Sequence, residues 1–174
     1  MAICNPFEEI SLSCFNSLGG VKRVWINNYE SVSGVTTNAD GTVTGATATP
    51  DFVEIASVRD GITFNEEAAI SLQNGSTYIT GTVTVTIPRK QAETRAKLAL
   101  FLEGQPKVSL ILEDQNNIYW AFGWAEFSEG AYATALTGNN GAVKADGSNY
   151  QVTFVCESAE LSPEILSSVV SGLI

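Results

Sequence analysis

Five Asp-Gly or Asn-Gly pairs divide the sequence into short segments, and such pairs supply the positive φ angles that tight hairpin turns require. The segments between them alternate apolar and polar residues, most clearly in YITGTVTVTI and NYQVTFVCE, as half-buried strands do. Regular turns and short alternating strands predict a mainly β protein, an antiparallel β-sandwich or a barrel, in a single domain over residues 1–174. The pairs lie at Asp40-Gly41, Asp60-Gly61, Asn74-Gly75, Asn140-Gly141 and Asp146-Gly147.

An aromatic hairpin is predicted where the strands KVSLILE and NIYWAFGW are joined by the turn DQNN. The opposite face of its second strand, Tyr119, Ala121 and Gly123, is also nearly free of charge. We therefore expect core on one side of this hairpin and a contact with the helix or a neighbouring subunit on the other. Alternation places four residues on one face: Ile118, Trp120, Phe122 and Trp124. Other predicted strands are 21–27, 52–58, 68–73 and 131–137.

One helix is predicted to flank the sheet over residues 89–103, in PRKQAETRAKLALFLEG. Pro88 suits a helix start and Gly104 a helix stop, and basic and acidic residues are spaced as i, i+4 pairs. The apolar stripe is predicted to be Ala92, Ala96, Ala99 and Leu100, with Leu102 or Phe101 beside it. The start signal Ser162-Pro163-Glu164 predicts a short C-terminal helix with Ile165, Leu166, Val169 and Val170 on its apolar side.

The segment 33–51, SGVTTNADGTVTGATATPD, has few bulky side chains. It is predicted to be a flexible excursion, or a hairpin that becomes ordered against another subunit. We expect the extended termini to contact neighbouring subunits as well. The N-terminal sequence carries Glu8 and Glu9 where a signal peptide would be apolar, and no apolar run is long enough to span a bilayer, so a protein without membrane contact is expected.

Reactive side chains are scarce. The chain has no histidine, which is the commonest general base and metal ligand, and Cys4, Cys14 and Cys156 lack metal-site spacing and are expected to be free thiols. The adjacent acids Glu66-Glu67 and Glu113-Asp114 are expected to be solvated surface residues, because neighbours in a strand point to opposite faces. The sequence therefore predicts neither an enzyme nor a bound cofactor or metal.

Charge is distributed unevenly. The formal net charge is −10, from nine bases and nineteen acids. The helical segment 89–103 holds four of the bases and two acids, for a net +2, which leaves five bases against seventeen acids elsewhere. A cationic helix on an anionic body can hold identical subunits together, or it can simply be a solvated helix face. The candidates for a subunit interface are Arg89, Lys90, Arg95, Lys97 and Trp124.

Two stretches resemble a known protein family. LEDQNNIYWAFGW, followed by ALTGNNGAVKADGSNYQVTFVCESAELSPE, is similar to the C-terminal half of bacteriophage tail tube and related major tail proteins, over residues 88–164. SCFNSLGGVKRVWINNYESV resembles the opening of structural proteins from tailed phages. The resemblance implies a sandwich with one flanking helix, of which six copies form a ring. The inner sheets of that ring would form a continuous barrel, and stacked rings a hollow tube that conducts the genome.

The resemblance also implies a place and partners for the chain. The expected location is the virion tail, with assembly in the host cytoplasm. Expected partners are further copies of the chain and tail proteins such as the tape measure, terminator and baseplate, and DNA passes without specific binding. A strongly acidic surface fits this role, because it repels phosphate instead of gripping it. The acids expected to line the bore are Glu54, Asp60, Glu66 and Glu67.

Other functions stay open on the sequence alone. The chain could be a different virion component, such as a tail terminator or a head-decoration protein, which would form a closed ring or bind capsids without elongating. It could also be the tube of a contractile injection system, which delivers protein. A third alternative is a carbohydrate-binding module, in which Trp120 and Trp124 would stack on sugar rings.

Overall fold

The computed structural model describes residues 18–71, 73, 75–143 and 146–174, and Cys4 and Cys14 therefore lie outside it. The protein is mainly β, as predicted, with one flanking helix and a short C-terminal helix. No helix among the described residues is long and apolar enough to cross a membrane. The strands are β1 (Val21–Asn28), β2 (Val32–Thr37), β3 (Val43–Ala48), β4 (Val53–Glu54), β5 (Ile62–Ser71), β6 (Ser76–Pro88), β7 (Val108–Asp114), β8 (Tyr119–Phe122), β9 (Ser128–Asn139), β10 (Asn149–Ser158) and β11 (Glu164–Ile165), and the helices are α1 (Ala92–Glu103) and α2 (Ser167–Val170).

The strands form two layers that are joined at one place. One layer, the seven-stranded sheet, has the order β2-β3-β11-β8-β7-β1-β4, and the other, the four-stranded sheet, has the order β9-β10-β6-β5. Their hydrogen-bonded connection is a single residue pair, Val108 of β7 with Ala131 of β9. Among the strands of the described residues, every pair is antiparallel except β3 with β11, which meet at Val43 and Ile165. The chain is therefore hydrogen-bonded as one sheet but packs as a sandwich.

A first apolar core, core 1, fills the space between the two sheets. It contains Leu110, Leu112 and Phe122 from the seven-stranded sheet and Val83, Val85 and Phe154 from the four-stranded sheet, all at most 1% exposed. The rings of Phe64 on β5 and Phe122 on β8 meet edge to face across this space, with centroids 5.8 Å apart. This contact between strands that are distant in the sheet shows that the layers face each other.

A second core, core 2, covers the opposite face of the seven-stranded sheet. Ile111 of β7 points into it and is fully buried, whereas its neighbours Leu110 and Leu112 point into core 1. The β2–β3 hairpin and the C-terminal segment cover Ile111 with Val43 and Ile165. Both faces of the hairpin 108–122 are apolar because each of them packs in a core of the same subunit. The expected contact with a neighbour or with the helix is replaced by this second core.

Trp124 lies on a different face from the one that alternation predicts. Trp120 and Phe122 pack in or against core 1, but Trp124 is buried in core 2, where its ring stacks on Phe52. Strand β8 ends at Phe122, and Gly123 follows with a φ of +71°, which breaks the alternation. The indole Nε1 of Trp124 donates a hydrogen bond to the Leu110 carbonyl at 3.0 Å.

Helix α1 begins later and turns a different face inward than the sequence predicts. Pro88 is the last residue of β6, paired with Asn149, so the helix starts at Ala92 instead of residue 89. Leu98 is buried against core 1, and the Phe101 ring meets Phe154 edge to face at 5.6 Å. Leu100 and Leu102, at 63% and 57% exposed, lie outside the core. The buried face of α1 is therefore the one that carries the bulky i, i+3 pair Leu98 and Phe101, and not the predicted alanine stripe.

The segment 33–51 contains most of the β2–β3 hairpin, whose strands pair with each other in the subunit. Asn38 organises its turn, because the Asn38 side-chain oxygen accepts hydrogen bonds from the backbone N–H groups of Asp40 and Thr42. Val43, which is fully buried, anchors strand β3 in core 2 next to Ile165. At the C-terminus the predicted helix is confined to residues 167–170, because residues 164–165 form strand β11. Within this segment Ile165 and Val170 are buried as predicted, but Leu166 is 41% exposed.

Candidate functional site

The four-stranded sheet turns a polar face away from core 1. Along β6 the valines alternate with threonines, so that Val83 and Val85 point inward while Thr82 and Thr84 point outward. The Thr84 and Thr153 hydroxyls lie 3.2 Å apart and share a hydrogen bond on this face. We call this side of the sheet the outward face. Its members are the outward residues of β5, β6 and β10 and their cross-strand partners on β9: Thr63, Asn65, Glu67, Ala69, Tyr78, Thr80, Thr82, Thr84, Thr86, Tyr132, Ala135, Thr137, Gln151, Thr153, Val155 and Glu157.

The strands of this sheet contain no lysine or arginine. The outward face carries two acids, Glu67 on β5 and Glu157 on β10, and both are paired with Thr80 of the strand between them. The two carboxylates are exposed and lie in one row across the sheet. The face is therefore hydroxyl-rich and weakly anionic, and its strands offer a nucleic acid phosphate no cation, although the Lys107 ammonium lies beside it, 5.6 Å from the centroid of the Tyr132 ring on β9.

Both edges of the four-stranded sheet are open over most of their length within the part of the chain that the structure describes. Strand β5 pairs with β6 on one side, and its ten residues have no described partner on the other. Strand β9 pairs with β7 only at Ala131, so its second edge is open from Ala133 to Asn139. Long open edges expose unpaired backbone N–H and C=O groups, and proteins commonly protect them with lysine, proline or bulges. Neither open stretch carries a lysine or a proline, although β9 has a bulge between Ala133 and Ala135.

The four acids expected to line a bore do not share one surface. Glu67 lies on the outward face. Glu66 points to the opposite side of β5, where its carboxylate accepts a hydrogen bond from the Ser162 backbone N–H at 2.8 Å. Glu54 lies on β4 in the other sheet, and Asp60 lies in the turn before β5, 3.7 Å from Arg59. The alternation in YITGTVTVTI predicts the threonine side of β6, but it does not predict that Glu67 and Glu157 share that side.

The basic interface candidates lie at one end of the molecule. The Arg89 backbone N–H donates to the Ser148 carbonyl at 2.8 Å, and the Lys90 ammonium lies over the Tyr150 ring, 5.3 Å from its centroid. On α1 the Lys97 ammonium contacts Glu93 at 2.8 Å, and Arg95 is exposed. All four basic side chains lie on or next to the helix and are at least partly accessible.

Trp124, the remaining interface candidate, contacts its own subunit. Its side chain is 1% exposed inside core 2. Trp120 is half-buried and packs against core 1. Trp124 is therefore enclosed and not available to stack on a sugar, whereas the partly exposed Trp120 lines a cleft with Phe127 and Leu161.

A buried ion cluster lies next to the turn of the hairpin 108–122. Glu113 is 1% exposed, and its two carboxylate oxygens contact Lys22 Nζ at 2.9 Å and Arg23 Nε at 2.6 Å. A bulge between Val21 and Arg23 lets two consecutive basic residues reach the same carboxylate. The expectation that Glu113 is a solvated surface acid is therefore wrong. Burial raises the pKa of Glu113, but hydrogen bonds and attraction from Arg23 and Lys22 together outweigh it and hold the pKa below its usual value.

Two other chemical features of the chain are structural. Cys156 is buried in core 1, and burial is the main reason why its thiol pKa is raised. Within residues 18–71, 73, 75–143 and 146–174, no group of three or more His, Cys, Asp or Glu side chains is arranged to hold a metal ion. The four-stranded sheet with its outward face and two open edges is the most distinctive candidate site.

Comparison with known proteins gives limited guidance. No family profile and no curated protein matches the chain. One solved structure, the virion of a native gene transfer agent (GTA) particle, aligns over 79% of this chain and 98% of its own, with 16% identity and a TM-score of 0.34. Another, the tail of an empty GTA particle with C6 symmetry, aligns over 64% of this chain and 84% of its own, with 17% identity and a TM-score of 0.31. Both TM-scores are too low to establish a shared fold or function.

Proposed function

We propose that this chain is a structural virion protein, the tail tube subunit of a phage-like particle. Copies join side by side through the four-stranded sheet into a hexameric ring, and rings stack into a hollow tube that conducts the genome. The observation that carries the proposal is the base-free sheet whose two long edges, β5 and the second half of β9, are both open.

The two open edges favour a closed ring. They belong to different strands, so pairing β5 of one copy with β9 of the next is a head-to-tail contact, which closes into a ring when the rotation per copy divides a full turn. Each such pairing satisfies backbone groups that otherwise invite uncontrolled aggregation. The result is a barrel with four strands from every copy, whose outward faces all point the same way.

The chemistry of the outward face favours the channel side of such a barrel. DNA slides past a surface that cannot neutralise its phosphates, because binding depends on counterion release by lysine and arginine. Threonine hydroxyls such as Thr84 and Thr153 satisfy each other, and Glu67 and Glu157 add repulsion. In this arrangement Glu67 is a bore residue, whereas Glu54, Asp60 and Glu66 lie away from the outward face.

The resemblance of residues 88–164 to phage tail tube proteins supports the same role. On this basis we propose that the chain assembles in the host cytoplasm and is located in the virion tail. We also propose that it contacts tape measure, terminator and baseplate proteins. In this role the basic residues Arg89, Lys90, Arg95 and Lys97 contribute to contacts with acidic surfaces of neighbouring copies.

Electron microscopy of the purified chain at increasing concentration tests the proposal. We expect rings with an open bore that elongate into tubes of uniform width. Ala68→Pro removes a backbone N–H from the exposed edge strand β5, where proline is tolerated by the subunit, and should prevent ring formation. Ala159→Pro, in an exposed bend outside the strands, is the matched control and should still assemble.

The outcomes separate the alternatives. A wild-type chain that stays monomeric at all concentrations contradicts the proposal. Closed rings that never elongate would instead indicate a tail terminator or a similar completion protein. Tubes that assemble equally well from the Ala68→Pro variant would show that β5 does not join the copies.

A further inference from the structure

An apolar groove runs along helix α1. Leu98 and Phe101 form one wall, Ile55 and Val53 of the β4 region form the other, and Ile87 and Phe154 lie at its base. The groove has a volume of about 450 Å³. Two large apolar side chains on its rim are mostly exposed, Val53 at 66% and Leu100 at 63%. Exposure of this much apolar surface in one place is typical of a contact site.

A projecting hairpin of the same chain carries a matching pair of exposed apolar residues. At the free end of the β5–β6 hairpin, Ile70 is 67% exposed and Tyr78 is 52% exposed. Tyr78 pairs with Ala69, and directly paired residues share a face of the sheet. Because Ala69 and Ile70 are neighbours in the strand, Tyr78 and Ile70 lie on opposite faces. The described residues near the turn of this hairpin thus include an exposed apolar side chain on each side, Ile70 on one and Tyr78 on the other.

The hairpin end and the groove lie toward opposite ends of the same strand. Thr77 is next to the free end, and Ile87, ten residues further along β6, lines the groove. At about 3.3 Å per residue this places them about 33 Å apart. Two patches on opposite ends of a molecule cannot meet within one copy, but they meet between copies that are stacked head to tail, and such contacts build open filaments.

Charge complements the apolar match. The described residues of the β5–β6 hairpin include two acids, Glu66 and Glu67, and no base. The segment 89–103, which carries α1, has four bases and two acids. The groove lining itself carries one base, Lys97, which contacts Glu93, and one acid, Glu54, so any attraction of the acidic hairpin comes from the excess of bases along the segment 89–103.

We infer that the groove along α1 receives the free end of the β5–β6 hairpin from a second copy of this chain, with Ile70 as the main apolar contact. The inference rests on the proposed function and extends it, because this contact stacks one ring on the next, while the β5 and β9 edges close each ring. Ring closure and ring stacking therefore depend on different residues of the same hairpin.

Single charged substitutions separate the two contacts. The variants are Leu100→Asp on the groove rim and Ile70→Asp on the hairpin end, and both should leave rings intact. Each removes a large apolar side chain from the contact, so each should raise the protein concentration needed for tubes by at least about tenfold. Leu102→Asp is the matched control, because Leu102 is equally exposed on the same helix but does not line the groove. Circular dichroism melts would verify that all three variants fold, and Leu100→Gln provides a milder second variant.

The readout is the distribution of single rings and tubes in electron micrographs. Rings without tubes for Leu100→Asp and Ile70→Asp, together with normal tubes for Leu102→Asp, would support the contact. Normal tubes from both test variants, or equal defects in Leu100→Asp and Leu102→Asp, would overturn it and leave the proposed function standing. A wild-type chain that forms no rings would overturn the proposed function, and this contact with it.

Discussion

Arg23 Nε lies 2.6 Å from Glu113 Oε2, and this ion pair links strand β1 to strand β7. Replacing the buried carboxylate by Glu113→Gln removes the charge that Lys22 and Arg23 share. We expect the free energy of unfolding to fall by about 1–3 kcal/mol, less than for a fully buried pair because both bases are partly solvated. Urea denaturation measures this loss. Glu93→Gln, which breaks the exposed pair with Lys97, is the control and should leave the midpoint unchanged.

The same cluster predicts a pH dependence. The folded-state pKa of Glu113 is below its ordinary value of 4.5, so the carboxylate stabilises the fold above pH 4.5, and this contribution is lost as the pH falls through the folded-state pKa. The stability difference between the wild type and Glu113→Gln should be largest at neutral pH and shrink on acidification below 4.5. Denaturant titrations at a series of pH values test this. A difference that stays constant down to pH 3, roughly, would contradict it.

Replacing Gly81 by a residue with a Cβ is predicted to destabilise core 1. A Cβ at this position on β6 would lie 2.5 Å from the Phe122 ring, which is 1% exposed and cannot move aside easily. Gly81→Ala should therefore lower the free energy of unfolding by about 1–3 kcal/mol through overpacking. Gly104→Ala is the control, because a Cβ at Gly104 meets nothing within 4 Å. Equal thermal melts for the two variants would show that core 1 has room that the structure does not indicate.

Much of the fold follows from local patterns. The alternation in β6 and β10 and the Asp-Gly and Asn-Gly turns are local signals, and the structure confirms the strands and the mainly β class that they predict. The sequence could not show that strand β7 is covered by an apolar core on each of its two faces. Its residues 110–112 are all fully buried, and only the complete chain reveals that one core lies on each side.

The candidate site was only partly predictable. The sequence indicated an acidic body and a basic helical segment, but not which acids share a face. Glu66 and Glu67 are adjacent in sequence, yet the former binds Ser162 on the inner side and the latter lies on the outward face. Glu113 was misjudged because its partners, Lys22 and Arg23, are about ninety positions away and reach it only through a bulge.

The proposed bore predicts a gain of DNA binding. Thr84→Lys places a cation on the outward face in every copy of the ring. We expect assembled rings of this variant to bind duplex DNA, with an affinity that falls at least about tenfold when salt rises from roughly 50 to roughly 200 mM, because bound counterions are released. Wild-type rings should bind weakly throughout, and Leu102→Lys, with its charge on α1, should resemble the wild type. Fluorescence anisotropy with labelled DNA measures all three.

Failure of that prediction has a clear meaning. If Thr84→Lys rings bind DNA no better than Leu102→Lys rings, the outward face of the four-stranded sheet does not line the channel. The subunit could then still form rings, but with this face directed elsewhere.

A density map of the assembled particle tests the central claim most directly. The account predicts that Thr84 and Thr153 face an open channel, and that β5 of each copy lies hydrogen-bonded beside β9 of the next. A map in which Arg89 and Lys90 line the channel, or in which the outer edges of β5 and β9 remain unpaired, would contradict it.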